Sequence, residues 1–309
     1  MKRCVVLTAL IAIGGLSLTL AGYQGGSPGP SAAALQATKI EKVKDNLYII
    51  TGSSDLAAFS GGNTAVFITD NGVVLVDTKL PGWGPTILER VRTVTNKPVT
   101  AIINTHSHND HSGSNEFFAA SVTSVVQENT RANMAKMEEF RGDKAKFLPE
   151  QIFKDKLSIG KGKDQIDLYY FGRGHTSGDA FIVFPALRTM HAGDMFAQKM
   201  LPLIDTMNGG SIVSYPETLA KAAAAIPNVD TVIPGHRQMA TWNEFKEYAA
   251  FTRDFVDFAR RSIKEKKTLE QAAAEYKVPA KYAGYVVTID SQLVTAAGNL
   301  RMTYDEVKK

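Results

Sequence analysis

The chain has 309 residues, of which 44% are hydrophobic and 21% charged, so it can bury an ordinary globular core as one large domain or two small ones. This composition excludes a disordered, fibrous or coiled-coil protein. The formal net charge is only +4, and Lys2 and Arg3 contribute to it from the N-terminal end. Because no strongly basic face follows from this balance, the sequence does not predict a nucleic-acid-binding protein.

The first residues are typical of a secretory signal. Two basic residues precede an apolar stretch from Val5 to Leu20, and the small residues Ala21 and Gly22 follow. The stretch is short for a transmembrane helix, which needs about 20 residues, and an uncleaved membrane anchor is the alternative. A lipoprotein would carry a cysteine next, whereas this chain has Tyr23. We therefore expect a signal peptide at residues 1–22 and a periplasmic or secreted protein with no stable membrane span after signal removal.

Changes in composition suggest the domain boundaries. Residues 23–37 are rich in Gly, Ser, Pro and Ala, which predicts a flexible linker. We expect an ordered domain over residues 38–240 and a C-terminal helical segment, residues 241–309, that packs on the same domain. The single cysteine, Cys4, lies in the expected signal, so a metal site elsewhere must use His, Asp and Glu.

Strand and helix patterns alternate along the ordered part, which predicts a layered α/β fold. Asp70-Asn71-Gly72 indicates a hairpin turn, and Thr268 followed by Gln271 indicates a helix start. In chain order, the predicted elements are a strand at Lys39–Thr51, strands at Asn63–Thr69 and Val73–Asp77, a helix at Pro85–Thr95, a strand at Val99–Asn104, a helix at Gln127–Phe140, a shorter segment at Glu150–Leu157, strands at Ile166–Phe171, Ala180–Phe184 and Arg188–His191, a helix at Tyr215–Ala225, a strand at Val229–Ile233, and helices at Trp242–Lys267 and Thr268–Tyr276.

Five of the six histidines lie in polar or glycine-flanked loops that follow predicted strands. Imidazole is the best common zinc ligand where thiolate is absent, and carboxylates complete such sites. Two histidines at i and i+2 can reach one ion from a tight turn, while an adjacent Asp-His pair reaches a second ion. The candidate ligands are His106, His108, Asp110 and His111 in one loop, His175 and His236 in two others, and Asp194 as a bridge between the ions.

Taken in order, His-x-His-x-Asp-His, a single His, Gly-Asp and Pro-Gly-His resemble the signature of the metallo-β-lactamase superfamily, over about Gly61 to His236. Val76-Asp77-Thr78 matches the first motif of that family, in which the Asp supports the metal loop. The resemblance implies an αββα sandwich with the site at the edge of its two sheets. It also implies a set of ligands for each ion: His106, His108 and His175 for the first metal, Asp110, His111 and His236 for the second, and Asp194 as the bridge.

The activity implied by this resemblance is that of an exported dinuclear zinc hydrolase. A metal-bridged hydroxide, oriented by the catalytic residue Asp110, would open an amide, lactone or ester bond of a small-molecule substrate. The bridging Asp194 resembles that of glyoxalase II-like thioesterases and lactonases, whereas the familiar β-lactamases usually have Cys or Ser there. Such a thioesterase or lactonase is one alternative, and a mononuclear iron sulfur dioxygenase is another. A nuclease and a non-catalytic binding protein are further alternatives.

The sequence leaves several properties open. Iron or manganese could replace the two zinc ions, because His and Asp ligands accept all three metals. Neither the substrate nor the oligomeric state is marked. We expect His191 to be a core histidine or one that supports a ligand, and Asp179 to steady the His175 loop or to lie in a surface turn. Leu201–Ser211 is long and flexible enough to border the pocket, and the aromatic residues from Phe245 to Phe258 are expected to be helix core.

Overall fold

The computed structural model describes residues 29–53, 55–118, 122–287 and 294–308. The expected signal peptide, residues 1–22, lies outside these ranges. Within them, no helix has the length and apolar character needed to cross a membrane.

The strands of the described residues form one sheet of seven strands and one of six. The first sheet holds, side by side in chain order, β1 (Ile40–Lys44), β2 (Leu47–Ile50), β3 (Thr64–Thr69), β4 (Gly72–Val76), β5 (Val99–Ile103), β6 (Thr123–Gln127) and β7 (Gln151–Phe153). The second sheet holds, also side by side in chain order, β8 (Lys156–Ile159), β9 (Ile166–Tyr169), β10 (Phe181–Phe184), β11 (Thr189–Gly193), β12 (Thr231–Pro234) and β13 (Ala240–Thr241).

Strand directions determine where the loops gather. In the first sheet β1 to β4 pair antiparallel, whereas β4, β5, β6 and β7 run parallel to one another. In the second sheet β11 and β12 are the parallel pair. Because the carboxyl ends of parallel strands meet at one edge, the loops after β4 and β5 adjoin each other, as do those after β11 and β12.

Because side chains alternate between the two faces of a strand, each strand contributes to two parts of the core, one between the sheets and one on the outer face. Along β3, Phe67 points into the space between the sheets and Val66 points to the outer face of the first sheet. Phe184 of β10 meets Phe67 there, with ring centroids 4.9 Å apart, while Phe181 faces the outer side of the second sheet. Both sheets are therefore apolar on both faces, as strands buried between two layers must be.

Helices cover both outer faces. α2 packs on the first sheet through Ile87 and Val91, and α7 covers the second sheet through Phe245 and Phe251. The predicted αββα sandwich with a C-terminal helix is therefore confirmed, as is the core role of the α7 aromatic residues. The helices are α1 (Ala32–Ala37), α2 (Gly84–Arg92), α3 (Asn109–Ser112), α4 (Asn115–Phe118), α5 (Glu128–Met134), α6 (Tyr215–Ala225), α7 (Trp242–Lys264), α8 (Leu269–Glu275) and α9 (Ala296–Val307).

Part of the expected linker is not flexible coil. Residues 32–37 form α1, whose first turn is capped by the Ser31 hydroxyl, which accepts from the Ala34 backbone N–H at 3.1 Å. Ala34 is buried in the outer core of the first sheet. Alanine has the highest helix propensity and serine is a strong N-cap, so the run of small residues predicts helix as readily as linker. The structure therefore has a short helix within the stretch for which the sequence predicts a linker.

Three predicted elements have different boundaries in the structure. The strand expected at Lys39–Thr51 is a hairpin, because Asp45 and Asn46 form the turn between β1 and β2. The helix expected at Gln127–Phe140 is shorter: Gln127 caps α5, which ends at Met134 and gives way to 3-10 turns. The segment at Glu150–Leu157 is divided between β7 and β8, the point at which the chain passes from one sheet to the other.

Candidate metal centre

The loops that follow strands of both sheets bring the seven candidate ligands together. The segment after β5 carries four of them and runs into the short helix α3, which starts after His108. The remaining three come from the second sheet: His175 lies between β9 and β10, Asp194 directly follows β11, and His236 follows β12. The site therefore lies where the edges of the two sheets meet.

The donor atoms form two groups. In the first group, the ligand atoms all lie within 4.8 Å of one another, with one atom from each of His106, His108, His175 and Asp194. A second group, with the same spread, holds Asp110, His111 and His236. The grouping matches the two ligand sets that the sequence resemblance implies, and the structure brings every predicted ligand to one of them.

Asp194 adjoins both groups. Its Oδ2 lies 3.6 Å from Nε2 of His175 and 3.5 Å from Nε2 of His236, and its Oδ1 lies 3.3 Å from Nε2 of His111. This approach depends on Gly235, because a Cβ there would collide with Oδ1 of Asp194. The Asp194 carboxylate can therefore contact two neighbouring cations at once.

Two donor atoms in the site form no hydrogen bond with any residue that the structure describes. Nε2 of His106 and Oδ1 of Asp194 are buried without a hydrogen bond. Nδ1 of His108 and Nε2 of His175 face each other at 2.9 Å, and the opposite nitrogen of each ring already contacts an oxygen acceptor. Two lone pairs at this distance repel unless a proton or a metal ion lies at them, and an unpaired buried acceptor is costly. The set of His and Asp donors without thiolate therefore fits divalent metal ions, zinc among them.

Asp77 supports the His106–His111 loop from beneath. Its carboxylate is buried and accepts hydrogen bonds from the Thr105 backbone N–H and hydroxyl, both at 2.8 Å. It also accepts from Nδ1 of His111 at 2.7 Å, which leaves Nε2 of that ring for the second group. Asp77 sits at φ 64°, an uncommon conformation for a residue other than glycine. The family's first motif is thus present in its expected supporting role.

Two further predictions concerned residues near His175 and β11. Asp179 is buried and accepts from the backbone N–H and the hydroxyl of Thr176, both at 2.8 Å, so it steadies the His175 loop and is not in a surface turn. His191 is a buried core histidine outside both donor groups: its Nε2 donates to the Asn63 carbonyl and its Nδ1 accepts from the Gly193 N–H.

Two opposing effects set the pKa values of the histidines in the site: burial lowers them, and the neighbouring carboxylates raise them. Burial, together with the neighbouring histidines, lowers the pKa of His106 well below its usual value. Burial also opposes protonation of His236, but Asp194 and Asp110 outweigh it and raise its pKa to about 9. The same carboxylates, with Asp77, hold the pKa of His111 well above its usual range. Without metal, the site therefore takes up protons at the second group, so the carboxylates there attract positive charge.

Lys79 is a buried cation that sequence reasoning missed. It has no exposed surface and donates to the carbonyls of Thr51 and Gly62, at 2.9 and 2.7 Å. Burial lowers its pKa to about 7, although Asp77 and Asp110 act in the opposite direction. Lys79 thereby joins the loop between β2 and β3 to the chain that follows β4.

Asp205, in the loop Leu201–Ser211, is a second residue that sequence reasoning missed. The loop borders the site as expected, and it is held by backbone hydrogen bonds from Asp205 to His175 and from Ser211 to Gly174, at 2.8 and 2.9 Å. Oδ2 of Asp205 lies 2.7 Å from Nε2 of His108. Nothing in the local sequence marks this contact, because the two residues are 97 positions apart.

Apolar side chains surround the metal centre. The Phe59 ring stacks near His236, with centroids 5.8 Å apart. Leu203, whose carbonyl accepts from His175, is 40% exposed, and Met207 in the same loop is 78% exposed. The rim of the site therefore offers apolar surface to a small molecule.

Comparison with known proteins identifies the family. The metallo-beta-lactamase superfamily model matches residues 58–236. "Metallo-beta-lactamase type 2" of Elizabethkingia meningoseptica is 27% identical over 207 residues, which are 64% of this chain and 78% of that protein. A metallo-beta-lactamase structure from Pontibacter korlensis matches with a TM-score of 0.60 and 21% identity, covering 70% of this chain and 99% of the other. A double mutant of the sec-alkyl sulfatase PisA1 matches with a TM-score of 0.69 and 16% identity, covering 89% and 51%. The chain belongs to the metallo-beta-lactamase superfamily and is a metal-dependent hydrolase.

Proposed function

We propose that this protein is an exported dinuclear zinc hydrolase that opens an amide, lactone or ester bond of a small molecule. The observation that carries the proposal is the pair of donor groups, with Oδ2 of Asp194 in the first group 3.5 Å from Nε2 of His236 in the second. His106, His108 and His175 would hold the first ion, and Asp110, His111 and His236 the second. Bound zinc ions would supply an activated water and polarise the bond to be cleaved.

The residues of the chain contribute position and proton transfer. Oδ2 of Asp110 lies 3.2 Å from Nε2 of His236, and the Asp110 side chain keeps 21% of its surface exposed. Asp110 can thus orient an attacking water, take its proton and return it to the leaving group. Phe59, whose ring stacks near His236, and the exposed Leu203 offer apolar surface that a bound substrate would contact.

Two observations bear on the substrate, and they favour different classes of bond. The Elizabethkingia relative is named a metallo-beta-lactamase, which favours a β-lactam amide. The carboxylate of Asp194 at the bridging position resembles glyoxalase II-like thioesterases and lactonases, which favours a thioester or lactone. A mononuclear iron sulfur dioxygenase would need mainly the first donor group, so the complete second group supports the hydrolase.

Export is part of the proposal. It rests on the apolar stretch from Val5 to Leu20 after two basic residues, and on the location of the only cysteine at position 4. Expression of the full chain in a Gram-negative host, followed by fractionation and N-terminal sequencing, tests it. A processed chain in the periplasmic fraction supports export, and an unprocessed chain in the cytoplasm overturns it.

The activity test uses purified protein lacking residues 1–36, assayed with a chromogenic cephalosporin, a lactone and a thioester before and after EDTA and zinc add-back. The metal content of the same sample is measured by mass spectrometry. We expect two zinc ions per chain and hydrolysis of at least one substrate that EDTA abolishes and zinc restores. A single bound iron without hydrolysis of any substrate would overturn the proposal and favour the dioxygenase.

A further inference from the structure

We infer that Asp205 is a positioning residue that fixes the ring nitrogen through which His108 binds the first metal ion. The inference rests on the proposed zinc site and adds a residue outside its ligand set. A histidine can bind a metal only through the nitrogen that carries no proton, so a partner that holds the proton on the other nitrogen selects the ligand atom.

The geometry around His108 defines this selection. A carboxylate only accepts hydrogen bonds, so Oδ2 of Asp205, 2.7 Å away, requires the proton of His108 to be on Nε2. Nδ1 then carries a lone pair and points at Nε2 of His175, 2.9 Å away in the same donor group. The Asp205 and His108 side chains are 19% and 22% exposed, which leaves water little access to compete for the contact.

The loop holds the Asp205 carboxylate in one orientation. Its Oδ1 accepts the backbone N–H groups of Met207 and Asn208, at 3.0 and 3.1 Å. Its Oδ2 accepts from the Asn208 side-chain amide at 2.6 Å as well as from His108. With one oxygen occupied by the backbone, the other is available for the histidine. The carboxylate cannot rotate without losing both sets of bonds.

Asp205 also joins two ligands of one ion. Its backbone N–H donates to the His175 carbonyl at 2.8 Å, and its own carbonyl accepts from the Gly210 N–H at 2.8 Å. A Cβ at position 210 would collide with the His175 carbonyl, so the glycine permits this close packing. Through its backbone and side chain, Asp205 therefore fixes the distance between His175 of the second sheet and His108 of the first.

Asp205→Asn separates positioning from simple loop capping. Oδ1 of the new amide can keep the two backbone bonds, and its NH2 group then faces His108 in place of Oδ2. An NH2 group donates, so His108 must accept at Nε2 and carry its proton on Nδ1, the atom that should bind the metal. Asp205→Ala removes the capping bonds and the histidine contact together. Asp55→Ala is the matched control, because Asp55 caps a 3-10 turn by accepting from the Ala57 N–H at 2.9 Å.

The measurement is zinc affinity by competition with a chromophoric chelator, with the unfolding temperature of the metal-free proteins as the control for folding. We expect Asp205→Asn to weaken one of two zinc sites about 10- to 100-fold while the metal-free protein unfolds as the wild type does. Asp55→Ala should leave both zinc affinities unchanged. Wild-type zinc affinity in Asp205→Asn would overturn the inference and leave Asp205 a loop cap. A wild-type protein that binds no zinc would instead overturn the proposed function.

Discussion

Four of the candidate ligand histidines contact an oxygen atom through the ring nitrogen that is turned away from the donor groups. The contacts are with the Thr105 hydroxyl for His106, Asp205 for His108, Asp77 for His111 and the Leu203 carbonyl for His175. These contacts set the proton position on each ring before any ion binds, which lowers the reorganisation that binding requires. Oδ1 of Asp194, by contrast, is buried, accepts no hydrogen bond from the described residues and lies 3.3 Å from Nε2 of His111.

Asp194→Asn tests the bridging position. The amide keeps the size of the side chain but has one neutral oxygen, so it cannot serve two cations. We expect bound zinc to fall from two ions to about one per chain and hydrolysis to fall on the order of 100-fold. Metal analysis after gel filtration and steady-state kinetics are the measurements.

Asp230→Asn is the control for that experiment, because Asp230 pairs with Lys44 and Arg188 on the surface. It should retain two zinc ions and wild-type turnover. Two tightly bound zinc ions in Asp194→Asn would contradict the bridging role.

The variant Lys79→Met tests whether the buried Lys79 ammonium has a lowered pKa, through the pH dependence of the free energy of unfolding. The folded chain holds the pKa of Lys79 at about 7, against 10.5 for a free lysine, so the unfolded state binds more protons between these values. The contribution of Lys79 to the free energy of unfolding must therefore increase as pH rises, by about 1.4 kcal/mol per pH unit inside this window. Denaturant unfolding of both metal-free proteins from pH 7 to 9.5 should show the wild type gaining stability relative to Lys79→Met.

Lys97→Met provides the comparison for Lys79, because Lys97 also donates to a backbone carbonyl, that of Thr69 at 2.7 Å, but is exposed. The same denaturant series on Lys97→Met measures the effect of removing an exposed lysine. If the Lys79→Met difference does not change with pH, the Lys79 ammonium is not titrating as described.

At the residue scale, a functional residue could be predicted from the sequence when its partners lie close to it along the chain, and not when they lie far away. The candidate ligands lie in short motifs whose residue types and spacing carry the chemistry, so those from His106 to His111 could be proposed as metal ligands without a structure. Lys79 and Asp205 act through partners that lie far away in sequence, at Thr51 and His108. An isolated Lys or Asp in a loop has no local signal that separates a buried role from an exposed one.

At the scale of elements, predictions held where local chemistry determines the structure. The Asp70-Asn71-Gly72 turn does join β3 to β4, and Thr268 with Gln271 forms a reciprocal capping box at α8. β6 was not predicted, since Thr123–Gln127 is a short run that merges with the helix after it. The end of α5 depends on distant partners, because Asn133 donates to the Ser177 hydroxyl and the Asn208 carbonyl.

Helix α9 is the element whose role the sequence left open. Its Glu306 accepts from the Ser211 hydroxyl and from the Val213 N–H, and lies 3.6 Å from Arg173. Ser211 ends the loop that carries Asp205, and Arg173 lies two residues before His175. The C-terminal helix therefore anchors both the loop that carries Asp205 and the loop that carries His175.

Glu306→Ala should loosen these loops. Loss of the shared acceptor leaves two donors without a partner, which costs about 1–3 kcal/mol. We expect faster amide hydrogen exchange in residues 201–213 and in the His175 loop, measured by mass spectrometry, with the sheets unaffected. The neighbouring exposed Asp305→Ala should exchange as the wild type does, and equal exchange in both variants would contradict the anchoring role of α9.

At the scale of the whole molecule, the candidate metal centre lies between two sheets that also meet through apolar packing and through polar contacts, such as those of Lys44 with Asp230 and of Asn63 with the Pro234 carbonyl. The alternation of strand and helix patterns could predict a layered α/β fold, and the resemblance of the histidine motifs to the family implied the two sheets of the sandwich. The sequence could not predict how closely the sheet edges approach, which depends on side chains such as Phe67 and Phe184 that fill the space between them. Ligands from β5 and from β11 and β12 reach common positions only because this packing fixes the edges.

Metal removal should therefore destabilise the whole domain. Bound ions stabilise the folded chain in proportion to their affinity, by about 4 kcal/mol per site at a thousandfold excess over Kd. Each kcal/mol moves the Tm of a domain of this size by roughly 2–4 °C, so EDTA should lower Tm by about 10 °C or more. Calorimetry with EDTA, then with added zinc or magnesium, measures the effect: zinc should restore Tm, whereas magnesium, which prefers oxygen ligands, should not. Asp194→Asn should show a smaller loss, because it starts with fewer ions. An unchanged Tm after complete zinc removal would show that the centre does not join the sheets, and that packing alone holds the edges in place.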